Sequence, residues 1–305
     1  MKIVFMGTPS FAVPILEALA KKYEVVLVVS QPDKEVGRKK ILTHPPVAAK
    51  ALELGLDLFQ PVKLRDEYKE ILDKNADIIV TAAYGQIVPD VILNSVKKAI
   101  NVHGSLLPKY RGGAPIQRSI MAGDKVTGIS IIDMVSKLDA GGIYKQVEVE
   151  ISDDDNSTSM FNKLSIAGRD LLIDTIDDIY SGRIKSIEQD DSKAIYSPNI
   201  KREEEKIDFN KKSFDIFNLI RGLSEEPGAY GVINDEVIKI YSSEIISYNG
   251  SENPGQIIDL KKRILVKTLD GAISLVTIKP SGKKMMNAKD FLNGQKLLKI
   301  GDIFN

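Results

Sequence analysis

A chain of 305 residues with 43% hydrophobic and 28% charged side chains is long enough for two domains and has the composition of an ordinary globular protein. Lys and Arg balance Asp and Glu at 42 each, so net charge gives no ground for non-specific nucleic-acid binding. The lack of cysteine excludes a disulfide framework, a thiolate nucleophile and a Cys metal site.

Residues 2–6 read as a strand. They are not preceded by the long apolar core of a signal peptide, and no apolar run of about 18 residues occurs anywhere, so a cytoplasmic protein without a membrane segment is expected. A turn at Gly7 and an apolar helix over residues 11–20 follow. This opening lacks the second and third glycines of G-x-G-x-x-G, which disfavours a nicotinamide dehydrogenase. Gly7 either makes a plain tight turn or leads into a helix N-terminus open to a phosphate. Residues 25–30 are β-branched and predict a strand buried on both faces. Next comes a long polar loop with a basic tip, Arg38, Lys39 and Lys40. A loop of that length between a strand and a helix is more often functional or disordered than a plain connector. Three adjacent cations suit phosphate contact; the plainer reading is a solvated loop. Helices are expected over residues 46–54 and 65–74, and strands over 57–59 and 77–83. The last of these ends at Tyr84-Gly85-Gln86, small enough to wall a pocket.

Residues 99–102 predict a short buried strand, and the apolar pattern stops at His103-Gly104. In open α/β sheets ligands bind at the carboxyl ends of strands. Asn101 and His103 are two apart, so on a strand they share a face and can aim at one atom. Gly104 permits close backbone approach, and Pro108 offers no N–H to a ladder. A lone histidine at a strand end is ordinarily a satisfied core residue. This one is one of only two in the chain and sits among Asn, Gly, Ser, Pro and Arg, which favours a site. A helix is expected over 114–122 with Pro115 in its first turn. Residues 127–134 and 143–151 read as a hairpin whose loop carries Asp139-Ala-Gly141-Gly142. An Asp in a turn usually bonds its own backbone, which is the plainer reading of Asp139 taken alone. A long helix is expected over 154–180.

The polar stretch 185–206 reads as a linker packed over the surface, with the charge run 201–206 as a solvated face. Beyond it, a helix over 213–223 precedes five short strands, 229–233, 237–241, 255–259, 264–269 and 273–279. Their regular turns, Asp270-Gly271 above all, predict a small barrel, followed by a last helix over 288–298. Lys261, Lys262, Arg263, Lys283 and Lys284 are either phosphate contacts or solubilising charge. The fold class is therefore α/β, with a mostly parallel sheet in residues 1–184, a linker over 185–206 and a barrel in 207–305.

Asn101-x-His103-x-Ser105-Leu106-Leu107-Pro108, followed by Tyr110-Arg111-Gly112, resembles the signature of the folate-dependent formyltransferases. Asp139, ahead of two glycines, stands where that family has its third residue, roughly 35 to 40 positions on. The resemblance runs along essentially the whole chain. It implies a Rossmann-like N-terminal domain and an OB-like C-terminal barrel that holds tRNA. It implies Asn101, His103 and Asp139 as the catalytic set, Ser105, Leu106, Leu107 and Pro108 as the folate-lining loop, and 10-formyltetrahydrofolate as co-substrate. The match is best with the branch whose acceptor is initiator methionyl-tRNA, through Arg111-Gly-Gly-Ala-Pro-Ile-Gln117. That branch inserts a loop, here Gln31-Pro-Asp to Gly37-Arg38, that contacts the acceptor end of tRNA. Arg38 falls on its key arginine, with Lys39 and Lys40 beside it. A monomer acting in translation initiation is the family expectation. Ser224-Glu-Glu-Pro-Gly228 departs from an aromatic-rich segment of the family, which alters the geometry expected there.

Formyl transfer needs donors for a developing oxyanion, worth about 3 kcal/mol each, and a route for the amine proton. Asn101 and His103 are expected as donors, with His103 also an acid and Asp139 its orienter and proton acceptor. Two histidines far apart in sequence are a poor ligand set, so no metal is expected. The rival readings are a formyltransferase acting on a sugar-nucleotide amine and a non-catalytic RNA-binding module. In the second of these, Asn101, His103 and Asp139 would be dispensable.

Overall fold

Valine- and isoleucine-rich runs, buried on both faces, build the central sheet of the N-terminal unit. A computed structural model describes all residues of the chain except Arg38 and Lys296, so the expectation for Arg38 lies outside the described residues. The strands of this unit are β1 (Lys2–Gly7), β2 (Glu24–Val29), β3 (Lys34–Val36), β4 (Ile41–Thr43), β5 (Leu58–Phe59), β6 (Ile78–Ala82), β7 (Lys98–His103), β8 (Val126–Asp133) and β9 (Ile143–Glu150). Seven of them form one sheet in the order β5-β2-β1-β6-β7-β8-β9. Pairing is parallel from β5 to β7, and β8 and β9 join antiparallel, as a hairpin. Val4, Met6, Leu27, Val29 and Ile79 pack with Leu64, Tyr84 and Ile92 as a core on one face.

Three expectations need correction. The polar loop after β2 is a hairpin: β3 pairs with β4 from Lys34↔Thr43 to Val36↔Ile41. Left-handed Gly37 and Lys40, with φ of 72° and 48°, make its turn possible. The helix expected over 65–74 is only Lys69–Asp73. Leu64 is fully buried and its N–H is taken by Gln86 Oε1 at 2.9 Å, so the chain before it is irregular. The final helix is only Ala288–Leu292, capped by the Asn287 side chain and ended before left-handed Gly294.

By contacts the chain divides into two compact units. One comprises residues 1–115, 126–150 and 161–198, the other residues 116–125, 151–160 and 199–305. Residues 187–197 are laced into the first unit. Ile187 and Ile143 exchange both backbone bonds, at 2.8 and 2.9 Å. Arg111 N–H donates to Ile195 O at 2.8 Å and Ser197 N–H to Arg111 O at 2.7 Å.

The second unit is a curled antiparallel sheet of β10 (Ala229–Ile233), β11 (Glu236–Ile246), β12 (Ile257–Asp259), β13 (Ile264–Lys267), β14 (Ala272–Pro280) and β15 (Met286–Asn287). Its order is β10-β11-β14-β13-β12, with β15 on β14. The peptide 301–305 spans the gap between the two ends. Asn305 and Val232 exchange backbone bonds at 2.8 and 3.2 Å, while Ile257 N–H reaches Asp302 O at 2.8 Å. Ile216, Ile220, Ile238, Ile240, Val266, Ile273 and Phe304 fill the interior. Among the described residues no helix is long and apolar enough to cross a membrane.

The charge run 201–206 is more than a solvated face. Arg118 grips Glu204 with two bonds, at 2.5 and 3.0 Å, and Glu205 is buried. Arg118, helped by the Lys201 N–H, holds the Glu204 carboxyl down at about 2. A depressed carboxylate stabilises the fold above its unfolded pKa, near 4.5, and that contribution fades as pH falls towards 2. Glu204→Gln is expected to flatten the acid limb of stability between these values, by about 1 kcal/mol after solvent screening. Urea unfolding of both proteins at pH 3 and pH 7 checks this.

Candidate active site

β6 and β7 are neighbours in the sheet, and Thr81 is paired in register with Asn101. Thr81 is the one polar residue of its strand and is buried. Its hydroxyl lies 2.8 Å from Asn101 Oδ1 and 3.4 Å from Ile100 O, so the carboxamide oxygen is the better acceptor. This fixes the amide orientation and leaves the Nδ2 end as the donor side.

His103 ends β7 with 6% of its side chain exposed. Its Nε2 lies 2.9 Å from Tyr110 O. A carbonyl only accepts, so Nε2 carries the hydrogen. The same carbonyl takes the Ser197 hydroxyl at 2.9 Å. Nδ1 then points towards Asp139, with Oδ2 at 3.7 Å, an ion-pair separation longer than a hydrogen bond. Asp139 Oδ2 is itself held by the Gly112 N–H at 2.8 Å. Tyr110 and Asp139 both take left-handed φ, 65° and 46°. Gly112 has φ of +126°, and a Cβ there would meet Ser197 O at 2.7 Å, so only glycine can bring this N–H to the carboxylate.

The intervening loop is braced from within. The Ser105 hydroxyl donates to Lys109 O at 2.6 Å, and Ser130 donates to Ser105 O at 2.6 Å. Gln146 Nε2 holds Leu107 O at 2.9 Å. Ser105 and Leu107 are buried, whereas Leu106 and Pro108 keep part of their surface in solvent. Exposed apolar side chains lie on two of the loops at this edge of the sheet: Ile87 on the loop after β6, and Val135 and Leu138 on the Asp139 loop. Ser136 Oγ ties those loops together by donating to Asp90 Oδ1 at 2.8 Å. Tyr84, at the end of β6, is buried, which pushes its hydroxyl up to about 12 and keeps it neutral.

A strand end, its following loop and a hairpin loop thus bring His103 and Asp139 together, with Asn101 two residues before His103 on the same strand. Lys39 and Lys40 are exposed on the β3–β4 turn, Lys40 being 3.7 Å from Glu35. His44 pairs instead with Asp33 at 2.8 Å, near the base of that hairpin. Gln60 and then His44 hold the Asp33 carboxyl below its usual range. Lys261, Lys262, Lys283 and Lys284 are exposed on the second unit. A cavity of about 580 Å³ lies within that unit, lined by Lys125, Asp153, Arg221 and Tyr241 among others, and includes none of the residues around His103. Convergent side-chain chemistry, not cavity size, marks the candidate site.

Sequence reading missed Thr81, the Tyr110 carbonyl and Ser197. Thr81 carried a signal, as a lone polar residue in an apolar run. The other two act through backbone geometry or from a segment distant in sequence, and had none.

A formyl transferase family model matches residues 1–176, and a model described as formyl transferase, C-terminal domain, matches residues 199–296. The chain is 47% identical over 298 residues to the methionyl-tRNA formyltransferase of Lactobacillus acidophilus, covering 96% of this chain and 95% of that one. It is 47% identical over 310 residues to the methionyl-tRNA formyltransferase of Streptococcus mutans, covering 99% of each. Among solved structures, the N-formyltransferase of Helicobacter canadensis in complex with folinic acid and dTDP-3-aminofucose superposes with a TM-score of 0.69 at 20% identity. That match covers 90% of this chain and 98% of the other. HypX from Aquifex aeolicus in complex with tetrahydrofolic acid matches with a TM-score of 0.67 at 15% identity, and this chain spans 50% of its length. At these identities the two structures speak for the fold alone.

Proposed function

This chain belongs to the formyl transferase family, and on that premise we propose that it transfers the formyl group of 10-formyltetrahydrofolate to the amino group of methionyl-tRNA. The observation that carries the chemistry is the convergence at the end of β7. An amide oriented by Thr81, an imidazole with one nitrogen anchored and a carboxylate facing the other nitrogen meet there.

Asn101 Nδ2 donates to the formyl oxygen as it gains negative charge. His103 works through Nδ1, because its Nε2–H is committed to Tyr110 O. Nδ1 takes a proton from the attacking amine as the new C–N bond forms. Once protonated, it is a second donor beside the oxyanion, and it returns the proton to the folate nitrogen as the old C–N bond breaks. Asp139 stabilises the cation so formed and fixes the ring that carries it. The co-substrate supplies the formyl carbon, and the residues present fit it. Exposed Ile87, Val135 and Leu138 offer apolar surface to a flat ring beside these polar groups. Leu106 and Pro108 add to that surface, while Ser105 and Leu107 hold the loop's shape.

The division of labour follows the chain: residues 1–184 carry the chemistry, braced by residues 187–197, the rest of 185–206 connects, and the barrel of 207–305 holds the tRNA. Arg38, Lys39 and Lys40 contact the acceptor end. The protein acts in translation initiation, in the cytoplasm, as a monomer.

The test is transfer of labelled formyl from 10-formyltetrahydrofolate to methionyl-tRNA by the purified chain. Labelled formyl-methionine on the tRNA supports the reading. Turnover only with an aminosugar nucleotide would keep the chemistry and replace the acceptor, and no transfer to any amine would leave a binding module. Lys39→Ala with Lys40→Ala is expected to raise KM for the tRNA several-fold with kcat unchanged. The salt slope of binding should fall by about 1 for each phosphate that is no longer neutralised.

A further inference from the structure

Arg111 is 1% exposed, yet it carries a full charge. Its Nε and Nη2 donate to Gln189 Oε1 at 3.0 and 2.8 Å, and Nη2 also reaches Asp191 Oδ1 at 2.8 Å. Its Nη1 is buried with no partner among the described residues. Such a cation is an expensive way to fill space, since an apolar side chain of similar volume would be as stable or more so. What it does is aim Gln189. With Oε1 locked on the guanidinium, the Gln189 amide must present Nε2 to the opposite side. There it donates to Asp139 O at 2.8 Å and Gly141 O at 2.7 Å. Asp191 adds a second tie, because its carboxylate pairs with both Arg111 and Lys137 of the same hairpin loop. Lys137 first, and then Arg111, hold that carboxyl below its usual range.

The two loops joined this way are those that flank the His103 ring. Tyr110 O, next to Arg111, holds Nε2, and Asp139 faces Nδ1. Asp139 sits at a left-handed φ of 46°, which aspartate tolerates better than most non-glycine residues but which still costs energy that its surroundings must offset. Gln189 binds the carbonyl of that strained residue directly.

We propose that Gln189, aimed by Arg111, is a positioning residue for formyl transfer: it sets the Asp139 backbone so that the carboxylate faces His103 Nδ1. This inference rests on the functional reading above.

Gln189→Glu separates positioning from packing. Its carboxylate still accepts both guanidinium bonds, so the buried Arg111 stays paired. It has no N–H for Asp139 O and Gly141 O, and it sets an acceptor against two carbonyls. Formyl transfer to methionyl-tRNA is measured for the wild type, Gln189→Glu, Asp139→Asn and the double variant, with thermal unfolding of each. The expected result is a kcat lower by about 10- to 100-fold in Gln189→Glu, with KM for both substrates within about twofold and a melting temperature that, though a few degrees lower, stays well above the assay temperature. In the Asp139→Asn background the same substitution should lower kcat by less than about threefold, because the group it positions is already disabled. A Gln189→Glu protein as active as wild type overturns the proposal, and so does an equal loss in both backgrounds. A fall in melting temperature that accounts for the reduced activity also overturns it. A wild type that transfers no formyl group to methionyl-tRNA overturns the functional reading, and the proposal with it.

Discussion

Asn101→Ala is expected to lower kcat for formyl transfer by about 10² to 10³, with KM for folate and tRNA changed little. The reason is differential: the amide donor meets a nearly neutral formyl oxygen before the reaction and an anionic one during it, so its loss is felt mainly in the transition state. Asn101→Asp should be at least as slow. It keeps the shape but sets an oxygen where the Nδ2–H₂ donor stood. Thr81 would then donate to a carboxylate and favour its charged form, so like charge would face the oxyanion. His103→Ala removes the proton carrier and should cost about 10² to 10⁴. The double Asn101/His103 variant should fall well short of the product of the single effects, because both serve one transition state. Single-turnover transfer to methionyl-tRNA, with circular dichroism to check the fold, decides this. Loss of less than about threefold in Asn101→Ala would remove that residue from the oxyanion site. Loss appearing wholly in KM would make it a binding residue.

How far the sequence revealed this site depended on which kind of bond each part used. Strand-borne residues were legible, because the period of two places Asn101 and His103 on one face whatever the tertiary context. The parallel sheet and the β8–β9 hairpin were likewise written in β-branched runs and turn residues. The β3–β4 hairpin was not, since its three-residue strands are fully exposed and show no alternation of burial. The brace on His103 was also invisible. It depends on the Tyr110 carbonyl and the Gly112 N–H, and every residue has such groups. Gln189 and Ser197 lie in a polar stretch with no periodic signal, 86 and 94 positions after His103. Only the path of residues 187–197 between two loops gives them a role. Which nitrogen of His103 faces the site was hidden for the same reason: Nε2 is anchored by a main-chain oxygen, which leaves Nδ1 on the side of Asp139. The last helix was overextended because Gly294 ends it after Leu292, and the chain beyond turns to closing the barrel.

Gly141→Ala is expected to lower stability by about 2 to 4 kcal/mol and kcat by about 10². A Cβ at Gly141 would lie 1.8 Å from Asp133 O and 2.7 Å from Asp133 C, both main-chain atoms. Asp133 cannot easily retreat. Its N–H is bonded to Gly142 O at 2.9 Å, and its carboxylate takes the Ser186 hydroxyl at 2.6 Å and the Tyr144 hydroxyl. The displacement must therefore fall on the hairpin loop, which carries the Asp139 carboxylate two residues away. Gly142→Ala is the matched control. Its Cβ would meet Ser186 Oγ at 2.7 Å and Ser186 Cβ at 2.8 Å, so Ser186 must shift, but the clash is with a side chain and not with main-chain atoms, and a smaller loss is expected. The two substitutions add the same methyl group to adjacent residues, so propensity and unfolded-state effects nearly cancel between them. Urea unfolding and formyl transfer on both variants separate the outcomes. If Gly141→Ala matches Gly142→Ala in both, the Asp133 contact does not hold the loop, and the position of Asp139 must be set by Gln189, Lys137 and Gly112 alone.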